Sequence, residues 1–251
     1  VQCIPPTVVI NNTSAIDTLT CSATSIEVVA QGANTYSWSN SLGNSATASI
    51  TAPGTYIVTG TNLDGCSSTD TITIGQNIVA PVAAITNNSG TNQLTCVQNT
   101  ISLTATGGVS YSWNNGLGAS AAVSPGAPGL YIVTVTAANG CVDTASVNIA
   151  SDGSLPLVGI TNNTGTLELT CTTTTISVTA TGGISYAWSG GLGNNATASI
   201  TEPGDYIVTA TAGNGCVGSA AISVTQNNSI TAGITNNTGT TVLSCALTSI
   251  G

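Results

Sequence analysis

The sequence predicts an all-β protein, a tandem array of small disulfide-bonded β-sandwich modules, on three observations. A 39-residue stretch occurs three times without gaps, at 28–66, 103–141 and 178–216, each copy starting 75 residues after the last. A fixed internal period of this size is the signature of a repeat architecture. Inside each copy, apolar residues alternate with Ser and Thr at period two, the pattern of half-buried antiparallel strands. Gly, Pro and Asn clusters punctuate these short runs, and no helical periodicity appears anywhere. The modules are therefore drawn at 1–75, 76–150 and 151–226, with 227–251 as the start of a truncated fourth.

Each module opens with an apolar run after proline (6–10, 81–85, 156–160, and 232–234 in the fragment). Asn-rich turns follow, at Asn11-Asn12, 87–90, 162–165 and 236–239, because Asn and Gly tolerate positive φ and bond their own backbone. Next comes a short strand ending in cysteine, at 19–21, 94–96, 169–171 and 243–245. Ile26, Val28 and Ala30 then share one strand face, as do Ile101, Leu103 and Ala105, and Ile176, Val178 and Ala180.

After a Gly-rich turn, Tyr36-x-Trp38, Tyr111-x-Trp113 and Tyr186-x-Trp188 put two aromatics on one face of a strand. A thin strand (198–201 in the third copy) leads to Pro-Gly, and then Tyr56, Tyr131 and Tyr206 head the strongest strand, YIVT. An Asp-Gly or Asn-Gly turn at 64–65, 139–140 and 214–215 sits directly before the second cysteine, a strong hairpin signal. A last strand alternates Ile72/Ile74, Val147/Ile149 and Ile222/Val224. Seven short strands with a Trp on the fourth describe an immunoglobulin-like sandwich, which makes Trp38, Trp113, Trp188, Tyr56, Tyr131 and Tyr206 core aromatics.

Cys21 and Cys66, Cys96 and Cys141, and Cys171 and Cys216 are each 45 residues apart, leaving Cys3 and Cys245 unpaired or joined to another segment. If successive strands alternate direction, the two cysteines of a module fall at the same end, so pairing within each module is expected. The rival scheme links neighbours (3–21, 66–96, 141–171, 216–245), but the final strand carries the chain ~30 Å away before the next module begins. A bridge within a module would stabilise it by about 4 kcal/mol in the chain-entropy model, useful to a module close to the lower size limit for a self-sufficient core. Disulfides also point to an oxidising, extracellular setting.

Charge narrows the partners. The chain has no Lys, Arg or His and nine carboxylates, for a net charge of −9. It cannot form the cationic footprint that nucleic acid or an anionic membrane surface requires, and no run approaches the length of a membrane span. Disorder does not fit either, since 41% of the residues are hydrophobic. The chain begins inside a linker and ends inside a repeat, as part of something longer would.

Chemistry finds little foothold. The nearest carboxylate pair, Glu202 and Asp205, is replaced by Ala52/Thr55 and Ala127/Leu130 in the other copies. No His or Lys exists to activate a Ser or Thr nucleophile. Asp64 suggests a calcium ligand, but Asn139 and Asn214 occupy its equivalents. Paired cysteines without CxxC spacing do not make a zinc site. The expectation is a non-enzyme with no cofactor and no catalytic, cofactor-binding or metal residue.

The run LTC (169–171), SYAW (185–188), ATASITEPG (196–204), YIVTAT (206–211) and NGC (214–216) resembles the tandem immunoglobulin-like repeats of large secreted Bacteroidota surface proteins, among them giant gliding-motility adhesins and other type IX secretion substrates. The resemblance covers nearly the whole chain. It implies an extracellular or cell-surface filamentous protein serving adhesion, gliding or biofilm, with neighbouring repeats, like chains or surface glycans as partners and no direct membrane insertion. Two departures stand out: no C-terminal sorting domain is present, and Lys and Arg are missing altogether. The resemblance also implies O-glycosylation at Asp-Thr-apolar triplets, here at Thr18, Thr71 and Thr144, of which Thr71 and Thr144 alternate outward.

The leading expectation is a structural and adhesive segment of a long fibre. A carbohydrate-binding array on a secreted enzyme would instead expose Trp38, Trp113 and Trp188. A pilus-like subunit would complete a neighbour's fold with residues 229–251 and bridge Cys245 to another chain.

Overall fold

A computed structural model describes residues 2–230 and 232–237 of the chain. Among the described residues all 21 regular elements are strands, seven to a module. Module 1 holds β1 (Val9–Asn12), β2 (Thr18–Thr20), β3 (Ile26–Gln31), β4 (Thr35–Trp38), β5 (Thr47–Ile50), β6 (Gly54–Thr61) and β7 (Ser67–Asn77). Module 2 repeats them as β8 (Ala84–Asn87), β9 (Gln93–Thr95), β10 (Leu103–Thr106), β11 (Ser110–Trp113), β12 (Ala122–Val123), β13 (Gly129–Thr136) and β14 (Val142–Asp152). Module 3 comprises β15 (Gly159–Asn162), β16 (Glu168–Leu169), β17 (Ile176–Thr181), β18 (Ser185–Trp188), β19 (Thr197–Ile200), β20 (Gly204–Thr211) and β21 (Val217–Gln226).

Every module pairs its first, third and fifth strands in one sheet and orders the other sheet second-seventh-sixth-fourth. In module 1 the three-stranded sheet is antiparallel, with Ile10 opposite Ala30 and Val28 opposite Ala48. In the other sheet β2 runs parallel to β7, with Thr18 opposite Gly75. The chain is thus a tandem array of immunoglobulin-like β-sandwich modules, the first strand splitting between both sheets as that fold allows. The described chain divides into two compact units: Val1–Leu94 with Gln98–Asp152, which contains modules 1 and 2, and Thr95–Val97 with residues 153 onward, which contains module 3.

The first strands start later than the sequence pattern suggests and run into the Asn pair. Proline at 6, 81 and 156 cannot donate to a ladder, so pairing begins three residues further on. The Asn-rich stretch itself does not reverse the chain. Asn12 accepts the Ser14 N–H and donates its amide to the Ile16 carbonyl, and Asn87 and Asn162 bond in the same way. These Asx turns carry the backbone from one sheet to the other while its direction holds. In module 1 the leading segment follows β7 throughout. The Ser68 hydroxyl bonds the Pro6 carbonyl, the Ile10 N–H bonds Asp70, and the Gly75 N–H bonds the Asp17 carbonyl. Residues 232–234 carry no strand.

Period-two alternation sets the core. In module 1, Ile26, Val28, Ala30, Ile50, Val58 and Ile74 meet Trp38 and Tyr56 between the sheets. Modules 2 and 3 build the same cluster around Val133 and Val208. Trp38, Trp113 and Trp188 are 5%, 5% and 7% exposed, and their indole N–H groups donate to the carbonyls of Ser45, Ser120 and Asn195. Tyr56, Tyr131 and Tyr206 reach back four residues to the carbonyls of Ala52, Ala127 and Glu202 at 2.8, 2.8 and 2.9 Å. This is the tyrosine corner at the start of the sixth strand. Tyr131→Phe removes one such bond and leaves the Ala127 carbonyl without its partner, so module 2 is expected to lose about 1 kcal/mol in urea unfolding with no change in fold.

One glycine per module is obligatory. Gly32, Gly107 and Gly182 have φ between +94° and +109°, and a Cβ there would lie 1.8–2.0 Å from the carbonyl oxygen of Thr7, Val82 or Leu157. The leading segment passes directly over that turn, and only a residue without a side chain fits.

Candidate functional site

The sequence-level residues do not gather into a reaction centre. Glu202 contributes its backbone carbonyl to the tyrosine corner, while the Asp205 carboxylate takes the Ser223 hydroxyl. No three His, Cys, Asp or Glu side chains cluster as metal ligands among the described residues. Thr71 and Thr144 are exposed and Thr18 is half-buried. The acids of their triplets have structural partners: Asp70 holds the Ile10 N–H, and Asp143 holds the Ala83 N–H at 2.9 Å.

The backbone N–H groups of Ala83 and then Thr144 hold the Asp143 carboxyl below its ordinary pKa. A lowered folded-state pKa means stability that is fully present above the unfolded value and lost as pH falls through the folded one. Asp143→Asn is therefore expected to lower the melting temperature of module 2 at pH 7. The difference from the unaltered chain should narrow as the pH falls below the ordinary carboxylate range and close only once the folded-state carboxyl has taken up its proton. In module 3 Gly218 occupies this place, and a Cβ on it would lie 2.7 Å from the Pro156 carbonyl.

The cysteines do gather, in a way the expected pairing missed. Cys3 bonds Cys66, Cys21 bonds Cys141, and Cys96 bonds Cys216, with Cα separations of 5.7, 4.9 and 5.0 Å. Cys171 is free and exposed, and Cys245 lies outside the described residues. Pairing within modules (Cys21–Cys66, Cys96–Cys141, Cys171–Cys216) is therefore corrected: the first cysteine of one module joins the second cysteine of the next. Cys3 is likewise bonded rather than unpaired, and the neighbour scheme does not occur.

The reason lies in the unreversed Asn crossing. Because β2 is parallel to β7 and its Thr20 lies opposite Asn77, Cys21 sits where β7 ends. Cys66 sits where β7 begins, roughly 35 Å away along an 11-residue strand. The two cysteines of a module occupy opposite ends of its sandwich.

At the junction of modules 1 and 2 the turn before Cys141 docks on the end of module 1. Asn139 donates its amide to the Val79 carbonyl at 2.9 Å and to Asn77 Oδ1 at 3.0 Å, and its own Oδ1 accepts the Cys141 N–H. Gly140, at φ +76°, lies so close to Ser22 that a Cβ would stand 2.5 Å from the serine Cβ. The second unit repeats the arrangement. Asn214 donates to the Ser154 carbonyl and accepts the Cys216 N–H, and Gly215 abuts Val97 beside Cys96. In module 1 the stretch around Cys3 takes this place. Asn62, two residues earlier than the Asn of the other modules, donates to the Ile4 carbonyl and accepts the Cys66 N–H. Sequence reasoning read Asn-Gly-Cys only as a hairpin turn. The Asn side chain caps the cysteine N–H and grips the linker, and the Gly makes room for the adjoining module.

No protein-family model and no curated protein matches the chain. Among solved structures, it is similar to a part of a 1.5-MDa bacterial ice-binding adhesin concerned with host cell surface retention. That likeness has 12% identity, covers 91% of this chain and 100% of that one, and scores a TM of 0.46. Invasin, a bacterial integrin-binding protein, matches at 12% identity over 89% of this chain and 60% of its own, with a TM-score of 0.31. Domains 4–9 of the surface layer protein SbsC match at 12% identity over 89% and 48%, with a TM-score of 0.28. The fold assignment rests on the strand order and register above.

Proposed function

We propose that the chain is a structural segment of an extracellular, surface-adhesive fibre whose modules are covalently laced end to end, and that it performs no catalysis. The observation that carries this reading is the direction of the disulfides: Cys21–Cys141 and Cys96–Cys216 each skip 120 residues to tie a module to its successor. A bridge inside a module would stabilise that module alone. A bridge between modules resists separation, which matters to a protein under tension. Disulfides belong to oxidising compartments, in keeping with a secreted or cell-surface site. Adhesion, gliding or biofilm service of the kind the Bacteroidota repeats imply is part of this proposal. The burial of all three tryptophans favours it over a glycan-binding aromatic platform.

Single-molecule pulling from the two termini tests it. With disulfides intact, the shortest covalent route from Cys3 to Cys216 crosses to Cys66, follows the backbone to Cys96 and crosses again. Those 30 or so residues span about 100 Å at full stretch. The oxidised chain should therefore extend to no more than about 100 Å between these points, and the reduced chain to about 700 Å in module-sized steps. Module-sized lengthening of the oxidised chain would refute the structural role.

A further inference from the structure

Asn followed by Gly is prone to lose its side-chain amide, because a glycine nitrogen reaches the preceding side-chain carbonyl with no Cβ in the way. The chain holds three such pairs: Asn115-Gly116, Asn139-Gly140 and Asn214-Gly215. The first lies in an exposed turn, with nothing within 4 Å of where a Gly116 Cβ would be. The other two are half-buried and stand directly before the bonded Cys141 and Cys216. There the reacting groups are all engaged. The Gly140 nitrogen, which would attack, donates its hydrogen to the Ala137 carbonyl at 3.0 Å. Asn139 Oδ1 accepts the Cys141 N–H, and Nδ2, which would leave, donates to the Val79 carbonyl and to Asn77 Oδ1. Gly215 and Asn214 are held likewise by the Ala212 carbonyl, the Cys216 N–H and the Ser154 carbonyl. Module 1 has no amide to lose at this place: the residue is Asp64, exposed, and Asn62 grips the linker instead.

We propose that Asn139 and Asn214 are self-modification sites gated by their junctions: each loses its amide only once its junction has opened, and the product keeps that junction from closing again. When the turn is released, a base takes the Gly140 N–H proton and the nitrogen attacks Asn139 Cγ. The Cγ–Nδ2 bond breaks, and its electron pair leaves on the nitrogen, which takes up a proton and departs as ammonia. Water then opens the succinimide ring. Cleavage at Cγ gives aspartate, and cleavage at the main-chain carbonyl of residue 139 gives isoaspartate. One water enters and one ammonia leaves, with no change of oxidation state. Neither product fits the closed junction. An aspartate turns an acceptor toward the Val79 carbonyl, and rotating the Asn77 amide to compensate would cost the Val79 N–H its acceptor. An isoaspartate adds a methylene to the main chain just ahead of Gly140, where even a Cβ would stand 2.5 Å from Ser22. The junction thus keeps a chemical record of having been open. This goes beyond the structural role above and holds whatever surface the chain adheres to.

The test is prolonged incubation of the full chain at mildly alkaline pH, then acid pepsin digestion and mass spectrometry of the three Asn-Gly peptides, with isoaspartyl methyltransferase labelling the isoaspartate. In the oxidised chain Asn115 should convert while Asn139 and Asn214 lag by at least about tenfold. The double variant Cys21→Ser, Cys141→Ser, held at a temperature where its tryptophan emission stays blue-shifted, should convert Asn139 faster and leave Asn214 at its slow rate. Conversion of Asn139 as fast as Asn115 in the oxidised chain overturns the proposal. So does a rate at Asn139 that the double variant leaves unchanged, since the protection would then belong to the turn alone. Asn139→Asp tests the second half. Equilibrated against dithiothreitol, its Cys21–Cys141 bond should be about tenfold easier to reduce than in the unaltered chain, with Cys96–Cys216 as before. Equal ease of reduction would mean that a converted junction closes normally and would refute the record.

Discussion

Replacing Cys21 and Cys141 together by serine is expected to destabilise modules 1 and 2 by about 4 kcal/mol each. The bond lies between modules, yet it constrains the unfolding of either. If module 1 unfolds while module 2 stays folded, Cys21 remains anchored beside Cys141. The backbone from Cys21 to the first strand of module 2 is then held as a closed loop of roughly sixty residues, which costs about 4 kcal/mol of chain entropy. The same loop arises, seen from the other side, if module 2 unfolds first. For modules of this size the loss corresponds to a fall in Tm on the order of 20 °C. Calorimetry of the double variant should show two lowered transitions and one, from module 3, held in place by Cys96–Cys216. A single lowered transition would mean that the bond serves one module only and would contradict the pairing.

Trp113→Ala should have an effect of similar size but confined to module 2. The side chain is buried among Leu103, Val133 and Tyr131, and truncating a buried Trp costs about 3–5 kcal/mol. It also strips the Ser120 carbonyl of its N–H donor. A module of 75 residues has a total stability of only about 4–11 kcal/mol, so module 2 would stand close to its unfolding midpoint. Each module has its own core cluster. Trp38 and Trp188 should therefore keep their blue-shifted emission while the calorimetric transition of module 2 drops or disappears. A red shift of the remaining two tryptophans would show that the modules unfold as one.

Most of the sandwich could be read from the residues. Alternation at Ile26, Val28 and Ala30, the Tyr-x-Trp strand and the YIVT strand all specify which side chains face inward, because a one-residue slip would expose them. The disulfide pattern could not be read, for a reason that turns on Asn12, Asn87 and Asn162. An Asn-rich cluster marks a bend in the backbone, but its composition does not say whether the chain reverses or changes sheet. Counting one reversal too many moves Cys21 by the length of a sandwich, from beside Cys66 to the far end. A spacing of 120 residues is as regular as one of 45 in a repeat of period 75, so arithmetic favoured neither. The serviceable clue was the Asp-Gly or Asn-Gly before each second cysteine. Its glycine is needed for turn geometry in module 1, but in modules 2 and 3 it also accommodates the residue following another module's cysteine.

The three disulfide loops overlap: 3–66 with 21–141, and 21–141 with 96–216. Every peptide bond from Cys3 to Cys216 therefore lies inside at least one loop, and those at 21–66 and 96–141 lie inside two. A single hydrolytic nick anywhere in that span opens a ring and releases nothing. Outside the cell, where proteases are met and no repair reaches, such a chain would have to be cut more than once before a piece could leave.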